Sequence, residues 1–167
     1  MMIIGDNMKL YVNEKVFSFH DKFYVTDENG NNVYEIASKF ISLGKKTTVY
    51  DMDGNKIIYI EQELFHITPH YNIYIDGNFE FQIAKKFRIF TNDYSLSNDY
   101  SVDGSFMMLD FSIYDNNSNM IGSIKRKFFS IGDKYEIEIM DESKKNIVLA
   151  IIVAISNDVN NSQSSSN

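Results

Sequence analysis

Ile147-Val148-Leu149-Ala150-Ile151-Ile152-Val153-Ala154-Ile155 is an unbroken apolar run, and how it is read decides the fold. Its β-branched content favours a strand. It does not alternate, however, and Asp141-Glu142-Ser143 just before it supplies cap and first-turn residues for a helix. A helix that is apolar on every side must be buried on every side. Inside a closed sheet such a helix satisfies its own backbone hydrogen bonds where no water reaches. Local rules leave helix and strand evenly matched. As a membrane span the run is too short, under half of the roughly 20 residues required.

Upstream of this run the chain reads as short alternating segments separated by turn residues. Met8–Val12, Val16–Phe19, Phe23–Thr26 and Val33–Ile36 are rich in β-formers. Asp27-Glu28-Asn29-Gly30-Asn31, Asp53-Gly54-Asn55 and Asp76-Gly77-Asn78 tolerate the positive φ of tight β-turns, and Asp115–Asn119 is a longer loop of the same kind. About a dozen strands follow from this pattern, which predicts a mainly β sandwich or barrel. The polar stretch from Asn92 to Ser105 is expected to be the longest irregular segment and a mobile loop. A single domain over residues 1–157 is expected, with 158–167 a disordered polar tail.

One unit recurs. Ile36-Ala37-Ser38-Lys39-Phe40, Ile83-Ala84-Lys85-Lys86-Phe87 and Ile124-Lys125-Arg126-Lys127-Phe128 share Ile-x-x-Lys-Phe, each after a hairpin loop. Phe23, Asp27 and Ser42 around the first copy fall without gaps on Phe111, Asp115 and Ser130 around the third, and Ile60–Phe65 looks like a degraded fourth copy. Alternate residues of a strand share a face. Ile36, Ser38 and Phe40 are therefore expected on one face, with Ala37 and Lys39 on the other.

Composition narrows the function classes. A formal charge of −7 opposes non-specific binding to nucleic acid, so no nucleic-acid partner is expected. With no cysteine, thiolate nucleophiles, disulfides and Cys-ligated zinc are excluded. Met1–Asp6 lacks a basic, apolar leader pattern, and a cytoplasmic protein without a transmembrane segment is expected.

His66 and His70 share a face if they lie in one strand, but stand about 13 Å apart there. That is too far for one metal ion unless Pro69 bends the chain, so no metal and no cofactor is expected. Asp51-Met52-Asp53-Gly54-Asn55 has its glycine too early for a calcium loop and reads as a turn. No serine sits in a nucleophile elbow and no glycine-rich phosphate loop occurs, so no catalytic residue is assigned. The basic clusters Lys85-Lys86-x-Arg88 and Lys125-Arg126-Lys127 occupy matching positions in two repeats. If Lys85, Lys86, Arg88, Lys125 and Lys127 converge on one rim, they form a site for an anionic group such as a lipid headgroup.

Lys127-Phe128-Phe129-Ser130-Ile131-Gly132-Asp133-Lys134-Tyr135-Glu136-Ile137-Glu138-Ile139, followed by the apolar block ending Val153-Ala154-Ile155, resembles the C-terminal signature of the LURP-one-related family. The resemblance runs from about Met8 to Ser156 and includes the Asp-x-x-Gly-Asn turns and the Lys-Phe repeats. It implies a tubby-like fold, a closed antiparallel barrel of about twelve strands around one hydrophobic C-terminal central helix. That helix would span Ser143 to Asn157. The family has no agreed catalytic motif, and its fold relatives, the tubby and phospholipid scramblase proteins, suggest membrane or phosphoinositide contact. The expected function is a non-enzymatic binding or scaffold domain of unknown ligand, its partner either anionic lipid or a protein. The alternative is a peripheral membrane adaptor that binds anionic lipid or phosphoinositide headgroups through the basic rim.

Overall fold

The computed structural model describes residues 7–13, 22–41, 44–86, 93–130 and 132–164. Twelve strands follow in order: β1 Met8–Asn13, β2 Lys22–Thr26, β3 Asn32–Ile41, β4 Gly44–Asp51, β5 Lys56–Glu63 and β6 His70–Ile75 lead. They are followed by β7 Asn78–Lys86, β8 Asp93–Leu96, β9 Ser101–Ser105, β10 Asp110–Tyr114, β11 Met120–Lys127 and β12 Lys134–Ile139. All pair antiparallel in one sheet of order β8-β7-β6-β5-β4-β3-β2-β1-β12-β11-β10-β9. The β1–β12 ladder, from Met8↔Ile139 to Asn13↔Lys134, joins the first strand to the last. β8 and β9, the two sheet edges, approach one another, so the barrel is nearly closed.

The apolar run is helical. A 3-10 turn over Glu142–Lys144, capped by Asp141 accepting from the Ser143 backbone N–H, leads into helix α1, Lys145–Ser164. Val148 to Ile155 are each at most 2% exposed, and α1 contacts β5 and β6 on one side and β11 on the other. The barrel therefore encloses the helix. β-branched propensity yields here because a strand at this place would leave its backbone groups unpaired, whereas a helix pairs its own. Inward-facing Ile36, Ile58, Ile73, Ile83, Ile113 and Ile124 close over it.

Two expectations are corrected. α1 begins after Ser143 and does not stop at Asn157; it runs through most of the expected tail, because Asp158 and Val159 are buried inside the barrel. The expected mobile loop between Asn92 and Ser105 is mostly paired as β8 and β9, with Ile83↔Leu96 and Phe111↔Gly104 among the register pairs. The Val16–Phe19 segment, Arg88 and the Phe40 side chain lie outside the described residues.

Three of the hairpin turns are built alike. Asp51 Oδ1 accepts from the backbone N–H of Asp53 at 3.0 Å and of Asn55 at 2.8 Å, and its Oδ2 accepts from Asn55 Nδ2 at 2.8 Å. Asp27 with Asn29 and Asn31, and Asp115 with Asn117 and Asn119, repeat this pattern. Ser118 takes positive φ where the other two turns have glycine. In an antiparallel meander alternate connections fall at the same end. The Asp27, Asp51, Asp76 and Asp115 turns therefore share one end of the barrel. Residues 64–69, 106–109 and 128–130 lie at the other, which is also where α1 ends.

Candidate functional site

The end where α1 terminates gathers most of the residues singled out in the sequence. Strand parity sorts them. Ile83 points inward, so Lys85 also points inward and Lys86 outward; Ile124 points inward, so Lys125 and Lys127 point outward. The proposed rim is thus divided between the two faces of the sheet.

Lys85 reaches into the barrel. Its Nζ lies 2.8 Å from Asp158 Oδ2 and 3.3 Å from Ser162 Oγ. Asp158 also accepts from Tyr71 Oη at 2.9 Å and Tyr94 Oη at 2.7 Å. Burial, and then the Asp158 carboxylate, push both tyrosine hydroxyls well above their ordinary range. Each group in this cluster has a partner, which is the arrangement a buried charge requires. The cluster ties the end of α1 to β6, β7 and β8. Sequence reading missed Asp158, although it follows Ile151 by two helical turns and so shares that residue's face.

Lys125 and Lys127 stand on the outer face beside Glu136, at 3.6 Å and 3.7 Å. Tyr11 donates to the second Glu136 oxygen at 3.1 Å, and desolvation followed by that carboxylate pushes the Tyr11 hydroxyl up to about 12. Glu136 is buried, so one carboxylate faces two lysines and the group keeps a net positive charge.

The repeated lysines do not converge. Lys39, Lys86 and Lys127 lie on β3, β7 and β11, each four strands from the next around a ring of twelve. They encircle one end of the barrel. Connections at that end also carry exposed apolar side chains: Phe65 at 103%, Ile67 at 99% and Phe128 at 78%, with Phe129, Met107 and Met108 less so. The opposite end carries the aspartate turns. A cleft of about 210 Å³ opens beside the end of α1, lined by Met108, Arg126, Tyr135, Asn160 and Gln163 among others. That is below the ~300–1,000 Å³ usual for small-molecule sites.

The histidine spacing read from the sequence is corrected. His66 and His70 do not share one strand: β5 ends at Glu63 and β6 begins at His70. The intervening loop, with Phe65 at φ 70°, folds His66 back so that the two rings stack 3.9 Å apart.

Comparison with known proteins agrees with this architecture. The LURP-one-related family pattern matches residues 8–156. The uncharacterized protein YxjI of Bacillus subtilis is 28% identical over 149 residues, covering 89% of this chain and 91% of that protein. A solved X-ray structure of a protein from Arabidopsis thaliana superposes with a TM-score of 0.66 at 15% identity, over 90% of each chain. That likeness concerns the fold. No helix among the described residues is long and apolar enough to cross a membrane.

Proposed function

The chain belongs to the LURP-one-related family, and from that premise we propose that it is a non-catalytic binding domain whose basic end rests against an anionic lipid surface. The observation that carries this reading is the segregation of charge along the barrel axis, with the three most exposed apolar side chains at the basic end. Exposed Phe65, Ile67 and Phe128 project from connections at the end encircled by Lys39, Lys86 and Lys127. Asp27, Asp51, Asp53, Asp76 and Asp115 occupy the other.

The physics of an interface suits that arrangement. Apolar loop tips entering the headgroup region gain burial, and each lysine near an anionic surface adds about 1 kcal/mol. The net charge of −7 opposes approach, yet its concentration at the far end makes the field orient the molecule, basic end first. A ring of lysines fits a plane better than a pocket. Lys86, Lys125 and Lys127 belong to this surface; Lys85 is engaged with Asp158 inside the barrel.

Co-sedimentation with vesicles tests it. Binding is expected to vesicles containing phosphatidylserine or a phosphoinositide and not to phosphatidylcholine alone, and to weaken with salt. Charge reversal at Lys39, Lys86 and Lys127 together, or Phe128→Ser with Phe65→Ser, should abolish pelleting. Asp51→Lys at the far end should not. Pelleting that is indifferent to both sets of substitutions, or absent on every vesicle, would remove the proposal.

A further inference from the structure

Independently of any lipid surface, we infer that Glu63, His66 and His70 form a binding site for a divalent transition-metal ion of the zinc, nickel or copper class. One donor atom from each residue lies within 4.8 Å of the other two. Glu63 and His70 are register partners on the last and first positions of β5 and β6, so their side chains stand side by side on the outer face. The short connection between them returns His66 over His70, with the rings 3.9 Å apart and inclined by 18°. Three ligands from two strand ends and one loop thus meet at one point.

The carboxylate is already oriented. Glu63 Oε1 accepts from Asn72 Nδ2 at 2.6 Å, and Asn72 Oδ1 in turn accepts from Gln82 Nε2 at 3.1 Å, a relay across β5, β6 and β7. The second oxygen, Oε2, is left facing the imidazoles and lies 2.8 Å from His66 Nε2. Carboxylates that bind metal are held by outer hydrogen bonds in this way.

A second observation points to a ligand. His70 Nδ1 is buried and has no hydrogen-bond partner. An unpaired buried nitrogen is costly, and a cation at the cluster would draw on this imidazole as a donor. Two imidazoles with one carboxylate suit zinc, nickel or copper, whereas calcium and magnesium require oxygen cages. The donors must draw together to reach lengths of about 2.0–2.2 Å. His66 sits on an exposed loop and is the ligand best placed to move. Binding would fasten the loop that carries Phe65 and Ile67 to β5 and β6.

Isothermal titration of the whole protein with zinc chloride and with nickel chloride, without vesicles, tests the site. One equivalent should bind saturably, with affinity reduced about tenfold or more in His66→Ala and in Glu63→Gln. His20→Gln should leave the titration unchanged. His66 is exposed, so His66→Ala keeps the fold, which circular dichroism verifies. No saturable binding, equal affinity in wild type and His66→Ala, or magnesium binding as tight as zinc would each overturn the assignment.

Discussion

Lys85 Nζ lies 2.8 Å from Asp158 Oδ2 within the barrel, a carboxylate only 2% exposed. The lysine's register partner, Tyr94, donates to the same oxygen at 2.7 Å. The two members of the pair are unequal in what their loss leaves behind. Asp158→Ala strands a half-buried ammonium and two buried hydroxyls, for which about 3–5 kcal/mol of destabilisation is expected. Lys85→Met leaves the carboxylate its two tyrosine donors and should cost clearly less. Urea denaturation of both variants checks the order; equal losses would show that the tyrosines contribute nothing.

The same cluster sets an alkaline limit. Burial, with Asp158 beside them, raises Tyr71 and Tyr94 above the ordinary tyrosine value of 10.0. Between that value and the raised one, the unfolded chain gives up protons that the folded chain keeps. Stability contributed by these hydroxyls is fully present below pH 10.0 and falls as pH rises above it. The slope is about 1.4 kcal/mol per pH unit for each tyrosine. Thermal melts above that pH should steepen accordingly, and Tyr94→Phe should remove one tyrosine's share of the slope.

How far the sequence disclosed this molecule varies from residue to residue. Hairpin strands were legible because alternation and Asx turns are local signals. Ile147 to Ile155 was not decidable locally, since burial on every side belongs to the surrounding sheet and not to the segment. Asp158 escaped because its stretch, from Ser156 through the end of the chain, is mostly polar. Its partners Tyr71, Lys85 and Tyr94 lie 87, 73 and 64 residues away. Strand parity alone separates Lys85 from Lys86, so the division of the basic cluster was readable from Ile83. The approach of His66 to Glu63 and His70 was hidden, because it depends on where β5 stops and how one short connection turns.

The aspartate turns should respond together to acid. Hydrogen bonds from Asn31, Asn55 and Asn119 hold the carboxyls of Asp27, Asp51 and Asp115 below their ordinary value of 3.8. Stabilisation from a depressed carboxyl is complete above the unfolded value and is lost as pH falls through the folded one. Protection of the Asn31, Asn55 and Asn119 amides, relative to their intrinsic exchange rates, is therefore expected to fall together below pH 3.8, ahead of the barrel core. In Asp51→Ala, exchange at Asn55 should be fast already at neutral pH while Asn31 and Asn119 stay protected. If Asn55 kept its protection in that variant, the side-chain bonds would not be what holds the turn.

Gly122 on β11 marks a close approach of strand to helix. A Cβ added there would stand 2.5 Å from Val148 Cγ1 and 2.9 Å from Cγ2. Val148 is completely buried and β-branched, so its χ1 has little freedom to yield. Gly122→Ala must then push α1 away from β11, at a cost of about 1–3 kcal/mol. The strand itself would gain from losing a glycine, which makes the sign of the effect diagnostic of the helix contact. Val148→Ala alone should destabilise by opening a cavity. In the double variant the new methyl takes part of the vacated space, and the two losses should sum to more than the measured one. Additive losses in a denaturation cycle would mean that Gly122 does not set the distance between the helix and this wall of the barrel.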